Sequence, residues 1–175
     1  ENDRQNLIAA STVPDFWVRH IVDSLQLLDH APRDSRLWLD IGSGAGLPGL
    51  VVAIASPHRV ILAEPRRRRA EFLTRCCEQL GLADVVVEQR RVEMLRVSAD
   101  IVSARAVAAL DTLFGWATQI GSADALMILP RGANAVSELD AARAAWHGDF
   151  DLVPSATAPG SGIVLAQHVR RRSAQ

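Results

Sequence analysis

The residues with the clearest chemical potential are four glycines that follow an aspartate. Gly42, Gly44, Gly46 and Gly49 lie within eight residues of one another, shortly after Asp40. Glycine allows positive φ angles and lets backbone N–H groups come close to a ligand. Between a strand and a helix, such a turn is typical of sites for nucleotide-type cofactors. The alternative is a tight turn without a ligand, in which only the backbone requires glycine.

Two cofactor patterns overlap in this turn. Gly44, Gly46 and Gly49 match G-x-G-x-x-G, the spacing of dinucleotide sites. Read from Asp40, the same stretch is the acidic-x-G-x-G-x-G pattern of S-adenosylmethionine (SAM) methyltransferases. A carboxylate would be repelled by a pyrophosphate, whereas it suits the ammonium group at the methionine end of SAM. The sequence therefore predicts a SAM site whose cofactor-binding residues include Asp40, Gly42, Gly44 and Gly46.

An acid after the next predicted strand supports a nucleotide-like ligand. Glu64 ends the apolar stretch RVILA about 20 residues after the first glycine, where nucleotide-binding sheets carry the carboxylate that binds ribose hydroxyls. A solvated surface acid is the alternative. After the third predicted strand, Val92 and Glu93 occupy the loop expected beside the adenine, and Glu93 could equally be a plain surface acid.

Alternating strands and helices position these residues. We predict strands over 37–41, 59–63, 84–89, 100–103, 125–129, 150–153 and 163–169, and helices over 14–29, 50–55, 66–80, 110–120 and 134–147. This order predicts an α/β class I SAM-dependent methyltransferase fold. Its sheet is Rossmann-like, mostly parallel and seven-stranded, with a C-terminal antiparallel hairpin. Within one globular unit, we expect an N-terminal helical segment over 1–35 and a methyltransferase domain over 36–172.

Composition narrows the class of protein. Hydrophobic residues make up 49% and charged residues 22% of the 175 residues, and the net charge is −1, as in ordinary globular domains. No apolar run is long enough for a membrane span, and we expect a cytoplasmic monomer. The two cysteines, Cys76 and Cys77, are adjacent and offer no metal-ligand spacing. We expect them to be small apolar residues on a helix and expect no metal.

Five stretches form an ordered set along the chain. They are Asn6-Leu7, Arg19 to Leu25 (RHIVDSL), Asp40 to Gly49 with its Leu-Pro-Gly ending, Arg91-Val92-Glu93 and Ser103 to Ala106 (SARA). In order and spacing they resemble the bacterial RsmG family, also called glucose-inhibited division protein B, although the last stretch matches only loosely. The resemblance runs from about Asn6 to Gly132. Members of the family are SAM-dependent methyltransferases that modify guanine N7 in small-subunit ribosomal RNA.

The resemblance implies SAM as cofactor and the small-subunit (16S) rRNA or the small ribosomal subunit as partner. The positions that it matches to SAM contacts or functional residues are Gly42, Leu47, Glu64, Val92, Glu93 and Arg105. Two departures stand out: Ala104 intervenes where the family has Ser-Arg-Ala, and Arg131-Gly132 replaces a common Lys-Gly.

The implied reaction needs little acid–base chemistry. Guanine N7 carries a lone pair and no hydrogen, so in-line attack on the methyl group requires no general base, and positioning supplies the catalysis. We predict Arg105 as the catalytic and cofactor-side residue, because a guanidinium can fork to the SAM carboxylate, an RNA phosphate or guanine O6. A structural ion pair with an acid such as Asp111 is the alternative.

RNA contacts must come from local patches, since the net charge is close to zero. The candidates are His20 with Arg19, the run Arg66 to Arg69, the cluster Arg90, Arg91 and Arg96, and the run Arg170 to Arg172. Trp17, Trp38, Trp116 and Trp146 are scattered, and we expect them to pack in the core. Two other functions stay open at this point: an NAD-dependent oxidoreductase and a non-catalytic RNA-binding module.

Overall fold

One seven-stranded sheet forms the centre of the structure, a computed structural model that describes residues 2–173. Across the sheet the strand order is β3-β2-β1-β4-β5-β7-β6. The strands are β1 (Leu37–Ile41), β2 (Arg59–Ala63), β3 (Val85–Glu88), β4 (Ala99–Ala104), β5 (Gly121–Arg131), β6 (Trp146–Pro154) and β7 (Gly162–Arg171). The first five strands pair in parallel, and β7 pairs antiparallel with both β5 and β6. The predicted mostly parallel sheet with a C-terminal hairpin is confirmed.

Helices cover both faces of this sheet. They are α3 (Gly49–Ala55), α4 (Arg67–Leu80), α5 (Leu110–Ile120) and α6 (Ala135–Ala145). Successive strand residues point to opposite faces, so Leu39 and Ile41 join one apolar cluster while Trp38 joins the other. The first cluster includes side chains of α5 and α6, and the second includes side chains of α3 and α4. Cys77 is buried on α4, as expected.

A helical N-terminal region precedes the sheet. A short helix α1 (Asn2–Gln5) stands where we predicted no helix. We treat three consecutive helical parts as one element, α2: a π-helical part Trp17–Val22, an α-helical turn Asp23–Leu25 and a 3-10 part Gln26–His30. The predicted single helix over 14–29 is therefore right in place, although the backbone spacing changes along it.

The C-terminal boundaries differ most from the prediction. Helix α6 ends at Ala145 rather than His147, and β6 begins at Trp146 rather than Phe150. The reason is that β7 continues to Arg171 and provides pairing partners for Trp146 and His147. Strand pairing at long range therefore overrides the local helical pattern. Similarly, β5 begins at Gly121 rather than Ala125, where it pairs with the start of β4.

The topology creates a crevice at one edge of the sheet. The chain passes from β1 through α3 to β2 on one side, whereas β4 lies on the other side of β1. Ligands of open α/β sheets bind at the carboxyl ends of the strands, where the strand order reverses in this way. The ends of β1, β2 and β4 carry the glycine turn, Glu64 and Arg105. None of the helices in the described part of the chain combines the length and the apolar character needed to cross a lipid bilayer.

Candidate active site

The glycine turn leaves β1 in a conformation that requires glycine. Gly42, Gly44 and Gly46 have φ angles of +66°, +56° and +83°. At Gly42 the space is restricted as well, because a Cβ atom there would lie 2.7 Å from a γ-methyl of Val107. The turn is closed by the Gly42 N–H, which donates to the Ala63 carbonyl at the end of β2 (2.8 Å). The turn therefore presents bare backbone at the crevice.

Asp40 lies beneath this turn and is only 1% exposed. Its Oδ1 accepts a hydrogen bond from the Ser103 hydroxyl (2.7 Å), and its Oδ2 accepts one from the Gly49 N–H (3.3 Å). The Trp38 indole N–H donates in turn to Ser103 Oγ (2.8 Å). Burial raises the pKa of Asp40 from 3.8 to about 6, although these hydrogen bonds oppose the shift.

These contacts give Asp40 a role within the protein. Both carboxylate oxygens accept hydrogen bonds from protein donors, and the residue is not part of either cavity wall described below. Asp40 thereby joins the end of β1 to β4 and to the first residue of α3. Its predicted pairing with the ammonium group of SAM stays a prediction.

Glu64 occupies the corresponding position after β2 and is 3% exposed. Its Oε2 accepts a hydrogen bond from the Gly44 N–H (3.0 Å), and its Oε1 accepts one from the Arg66 N–H (2.9 Å). A carboxylate has about four acceptor sites, so these two bonds leave acceptor capacity on both oxygens. The side chain is thus fixed between the glycine turn and the start of α4.

A cavity of about 570 Å³ opens beside Glu64, and we call it the Glu64 cavity. Four of the predicted cofactor residues line it: Gly42, Glu64, Val92 and Glu93. The other lining residues are Ile41, Ala63, Pro65, Arg66, Arg69, Arg91, Ala106, Val107 and Trp116. The structure therefore brings the glycine turn, the acid after β2 and the loop after β3 together around one space.

Five predicted residues lie outside that wall. They are Asp40, Gly44, Gly46, Leu47 and Arg105. Gly44 still acts through the hydrogen bond from its N–H to Glu64. Gly46 and Leu47 line an apolar groove beneath the turn, together with Ile8, Phe16 and Leu50. Arg105 belongs to a different cavity.

This second cavity, the Arg105 cavity, has a volume of about 480 Å³. It is formed by the loops after β4 and β5, by α2 and by the loop between β6 and β7. Its charged and polar lining residues are Thr12, Arg19, His20, Asp23, Gln26, Arg105, Arg131, Glu138, Ser155 and Ser161. These residues come from four separate stretches of the chain, 12–26, 105–108, 130–138 and 155–163, so local sequence patterns could not predict this cavity.

Arg105 connects the loop after β4 to α2. Its guanidinium donates to the Arg19 carbonyl, to Asp23 Oδ2 and to His20 Nδ1, each at 3.3 Å. The ion-pair partner is therefore Asp23 and not Asp111, which accepts the Trp146 indole N–H instead (2.8 Å). Asp23 is further held by the Thr157 hydroxyl (2.6 Å) and the Gln26 amide (2.9 Å).

His20 is held in its neutral form by the same network. Arg105 donates to Nδ1, so Nε2 carries the proton and donates to the Thr12 hydroxyl (2.8 Å), which itself donates to the Ala9 carbonyl. Burial, followed by the nearby Arg105 charge, lowers the pKa of His20 below 6.5. Near neutral pH, His20 is therefore a neutral positioning group of the cavity wall.

A second arginine lies across the cavity. Arg131 forms an ion pair with Glu138 and donates to the Ala108 carbonyl (3.0 Å). It stands where the sequence shows Arg131-Gly132 in place of Lys-Gly. The Arg131 guanidinium contacts both the loop after β4 and the first turn of α6. A lysine has a single ammonium group and could not make both contacts with the same geometry.

Ala106 and Val107 form the wall between the two cavities, because both residues line each of them. Ala106 has a φ of +55°, which turns the chain sharply after β4. Val107 also covers Gly42, as described above. The Glu64 cavity and the Arg105 cavity thus meet at two small apolar residues.

Pro65 was not predicted to line the Glu64 cavity, and Arg66 and Arg69 were predicted only as RNA contacts. Because Pro65 and Arg66 directly follow Glu64, their place beside the cavity could have been inferred from the sequence. Trp116 was expected in the core but lines the Glu64 cavity from α5, and no local pattern indicates this. Trp38 and Trp146 are buried, as expected, whereas Trp17 is exposed, and the expectation for it was wrong.

Comparison with known proteins shows the family to which this chain is similar. A family model described as "rRNA small subunit methyltransferase G" matches residues 1–157. The chain is 48% identical to the ribosomal RNA small subunit methyltransferase G of Rhizorhabdus wittichii, over 98% of this chain and 81% of that protein. It is 42% identical to the protein of the same name from Zymomonas mobilis, over 97% of this chain and 80% of that protein.

Solved structures share the fold at low sequence identity. A SAM-dependent methyltransferase from Aquifex aeolicus superposes with a TM-score of 0.68 at 11% identity, over 87% of this chain and 92% of that one. TYW2 from M. jannaschii, crystallised with SAM, superposes with a TM-score of 0.64 at 14% identity, over 87% of this chain and 76% of that one. The chain thus has the SAM-dependent methyltransferase fold.

Proposed function

Because the chain belongs to the rRNA small subunit methyltransferase G family, we propose that it transfers a methyl group from SAM to guanine N7 of small-subunit ribosomal RNA. The observation that carries this proposal is the pair of cavities that share the Ala106–Val107 wall. A transferase must bring a donor and an acceptor into contact, and ligands in two adjoining cavities can meet where the cavities join at Ala106 and Val107. The Glu64 cavity is the donor site and the Arg105 cavity is the acceptor site.

The residues of the Glu64 cavity fit SAM. Glu64 keeps acceptor capacity on both carboxylate oxygens, which suits the two hydroxyls of a ribose. Val92 is buried and Glu93 is exposed in the turn after β3, where they would border the adenine. Gly42 would present backbone to the methionine part, since Val107 leaves no room for a side chain there. Arg69 and Arg66 supply positive charge near the carboxylate end of the donor.

When bound, SAM supplies an electrophilic methyl group on its sulfonium. Guanine N7 offers a lone pair and has no proton to lose, so the protein needs no general base. The neutral His20 is consistent with this, because its Nδ1 and Nε2 are both engaged in hydrogen bonds. Catalysis then depends on holding N7 in line with the methyl group. Positioning of this kind can lower the activation barrier by several kcal/mol.

The Arg105 cavity has groups that complement guanine. A guanine offers donors at N1 and N2 and an acceptor at O6. Asp23 and Glu138 supply carboxylate oxygens, and Arg105 and Arg131 supply forked donors in the same cavity. Arg105 therefore acts on the acceptor side in this proposal and positions α2, rather than binding SAM directly.

A methyl-transfer assay tests the function. Tritium-labelled SAM is incubated with the protein and with small-subunit rRNA, or assembled small subunits, from cells that lack this enzyme. Nucleoside analysis should recover the label in 7-methylguanosine, and rRNA from cells with the enzyme should accept little. Label found only on protein or on a small metabolite would contradict the RNA substrate, and label on another rRNA atom would contradict the N7 assignment.

A further inference from the structure

Trp17 is the most exposed large apolar side chain in the described part of the chain, with 71% of its surface accessible. By contrast, Trp38 and Trp146 are buried in the core. Tryptophan is usually largely buried, and exposed examples are enriched where a protein meets a partner. The position of Trp17 therefore requires an explanation that core packing does not give.

The rings of Trp17, Phe16 and His20 form a series of contacts, and the last of them lines the Arg105 cavity. The Trp17 and Phe16 rings meet edge to face, with centroids 6.3 Å apart and an interplanar angle of 79°. The Phe16 ring lies 5.5 Å from that of His20, and His20 lines the cavity. The edge contact with Phe16 orients the indole and leaves most of its surface free. Ring contacts thus connect Trp17, through Phe16, to a residue that lines the proposed acceptor site.

Positive charge accompanies these rings. Arg19 lines the Arg105 cavity on the same helical part as Trp17. Arg105 and Arg131 form ion pairs with Asp23 and Glu138, whereas no carboxylate among the described side chains forms an ion pair with Arg19. One exposed acid, Asp15, lies on the preceding turn. Arg19 is therefore available to a phosphate at the mouth of the cavity.

We propose that Phe16, Trp17 and Arg19 form a surface for single-stranded RNA, on which the base next to the target guanine stacks against Trp17. This inference rests on the proposed function. Enzymes that modify a base must take it out of its stack, and a guanine inside the cavity leaves its neighbour without a stacking partner. An indole replaces that partner for any base, while Arg19 contacts the phosphate between the two nucleotides.

Substitution of Trp17 tests the surface. The probe is small-subunit rRNA from cells that lack this enzyme, used for both equilibrium binding and steady-state methyl transfer. We expect W17A to raise Kd and KM for this RNA roughly tenfold, and W17F to keep most of the affinity because phenylalanine also stacks. The matched control is I54A, which removes a 59% exposed apolar side chain on α3 and should leave both constants unchanged.

Two further readouts separate stacking from other roles. The slope of log Kd against log salt should be the same in W17A and in the wild type, because the lost contact carries no charge. RNA should quench the indole fluorescence of the wild type, and W17F should lose most of that quenching since two of the other three tryptophans are buried. SAM binding, measured by calorimetry, should be the same in W17A and in the wild type.

The outcomes distinguish this surface from the proposed function. If wild-type protein methylates rRNA and W17A does so with unchanged KM, the surface is wrong and the function stands. A W17A protein that changes oligomeric state in ultracentrifugation, with unchanged RNA affinity, would show a self-association surface and also overturn the inference. If the wild type transfers no methyl group to rRNA at all, the proposed function fails first.

Discussion

Glu64 is the side chain that we propose to contribute most directly to donor binding. We expect E64Q to weaken SAM binding roughly tenfold to a hundredfold, because the glutamine amide would place an NH₂ group against the Gly44 or the Arg66 N–H. Hydrogen bonds to a charged group contribute about 1.5–3 kcal/mol, and each 1.4 kcal/mol is a factor of about ten. Isothermal titration with SAM and with its demethylated product measures the change.

E93Q is the matched control for that substitution. Glu93 lines the same cavity but is exposed, so solvent replaces much of what its carboxylate provides. We expect its effect on the SAM Kd to be severalfold at most. Equal losses in E64Q and E93Q would indicate a general effect of negative charge and would contradict a specific role for Glu64.

Arg105 should affect the acceptor and leave the donor unchanged. Its guanidinium holds the Arg19 carbonyl, His20 and Asp23, all of which line the Arg105 cavity. We expect R105A to lower kcat/KM for rRNA by about tenfold or more, with an unchanged Kd for SAM. R105K should not restore activity, because an ammonium group cannot reach three acceptors in this fork geometry.

R143A provides the control for R105A. Arg143 also forms an ion pair, with Asp140 on α6, but it is exposed and lines neither cavity. Its removal should leave methyl transfer within about twofold of the wild type, as is usual for exposed ion pairs. A loss of SAM binding in R105A would place Arg105 on the donor side, contrary to this proposal.

At the scale of single residues, the sequence indicated which side chains lie at the crevice, but it did not indicate which groups they contact. Glu64 and Gly42 lie where their spacing indicated, because both follow directly from strand ends at the crevice. Asp40 was predicted to pair with the ammonium group of SAM, which stays a prediction, and in the structure it is buried beneath the turn and hydrogen-bonded to Ser103 and Gly49. The sequence pattern cannot distinguish a carboxylate that binds a cofactor from one that holds the loop around it, since both require an acid at the same strand end.

At the scale of elements, the Asp40 carboxylate connects β1 to β4 and to α3. Its raised pKa makes the stability of the folded protein depend on pH. Its folded-state pKa is raised from 3.8 to about 6, so the folded protein binds this proton more tightly than the unfolded chain. The resulting stability is fully present below about pH 4 and is lost as the pH rises through 6. The whole effect amounts to about 3 kcal/mol, of which about 1 kcal/mol falls between pH 5 and 7.5.

D40N isolates this contribution. Asparagine keeps the size of the side chain and removes the titration, with its oxygen toward Gly49 and its amide toward Ser103. We expect the unfolding free energy of the wild type, minus that of D40N, to decrease by about 1 kcal/mol from pH 5 to 7.5, measured by urea denaturation. A difference that stays constant over this range would mean that Asp40 titrates as an ordinary exposed acid.

Element types were predictable wherever local patterning and tertiary context agree. The buried parallel strands β1, β2 and β4 are mostly apolar. Helix α4 ends at Leu80 and is capped by Gly81 in a left-handed conformation, as its glycine predicts. The boundary between α6 and β6 was wrong because it depends on β7, whose partner residues lie more than 20 positions away in sequence. Strand pairing of this kind leaves no local signature in the sequence.

At the scale of the whole molecule, the rise in Tm on ligand binding should show whether the protein binds SAM or NAD. A ligand at 100 times its Kd stabilises the folded state by about 2.7 kcal/mol, which for a domain of this size corresponds to a rise in Tm of about 5–10 °C. We expect SAM and its demethylated product to produce such a shift in differential scanning calorimetry. NAD should produce none, and a shift with NAD alone would favour the oxidoreductase alternative.

The overall architecture was predictable because α/β topology restricts what a strand–helix alternation can form. The Arg105 cavity was not, because it requires α2, two loops and the hairpin to meet. Arg105 and Asp23 illustrate the difficulty, since 82 positions separate them in sequence and each residue alone is an ordinary surface charge. Only the three-dimensional arrangement makes them a pair.

The wall formed by Ala106 and Val107 has a consequence for turnover. In the proposed function each of these residues borders both ligands, so each ligand forms part of the other's surroundings. Thermodynamic reciprocity requires that any influence of the donor on acceptor affinity be matched by an equal influence in the opposite direction. We therefore expect a change in side-chain volume at this position to alter the affinity of each ligand in the presence of the other by the same factor, without touching an atom that reacts.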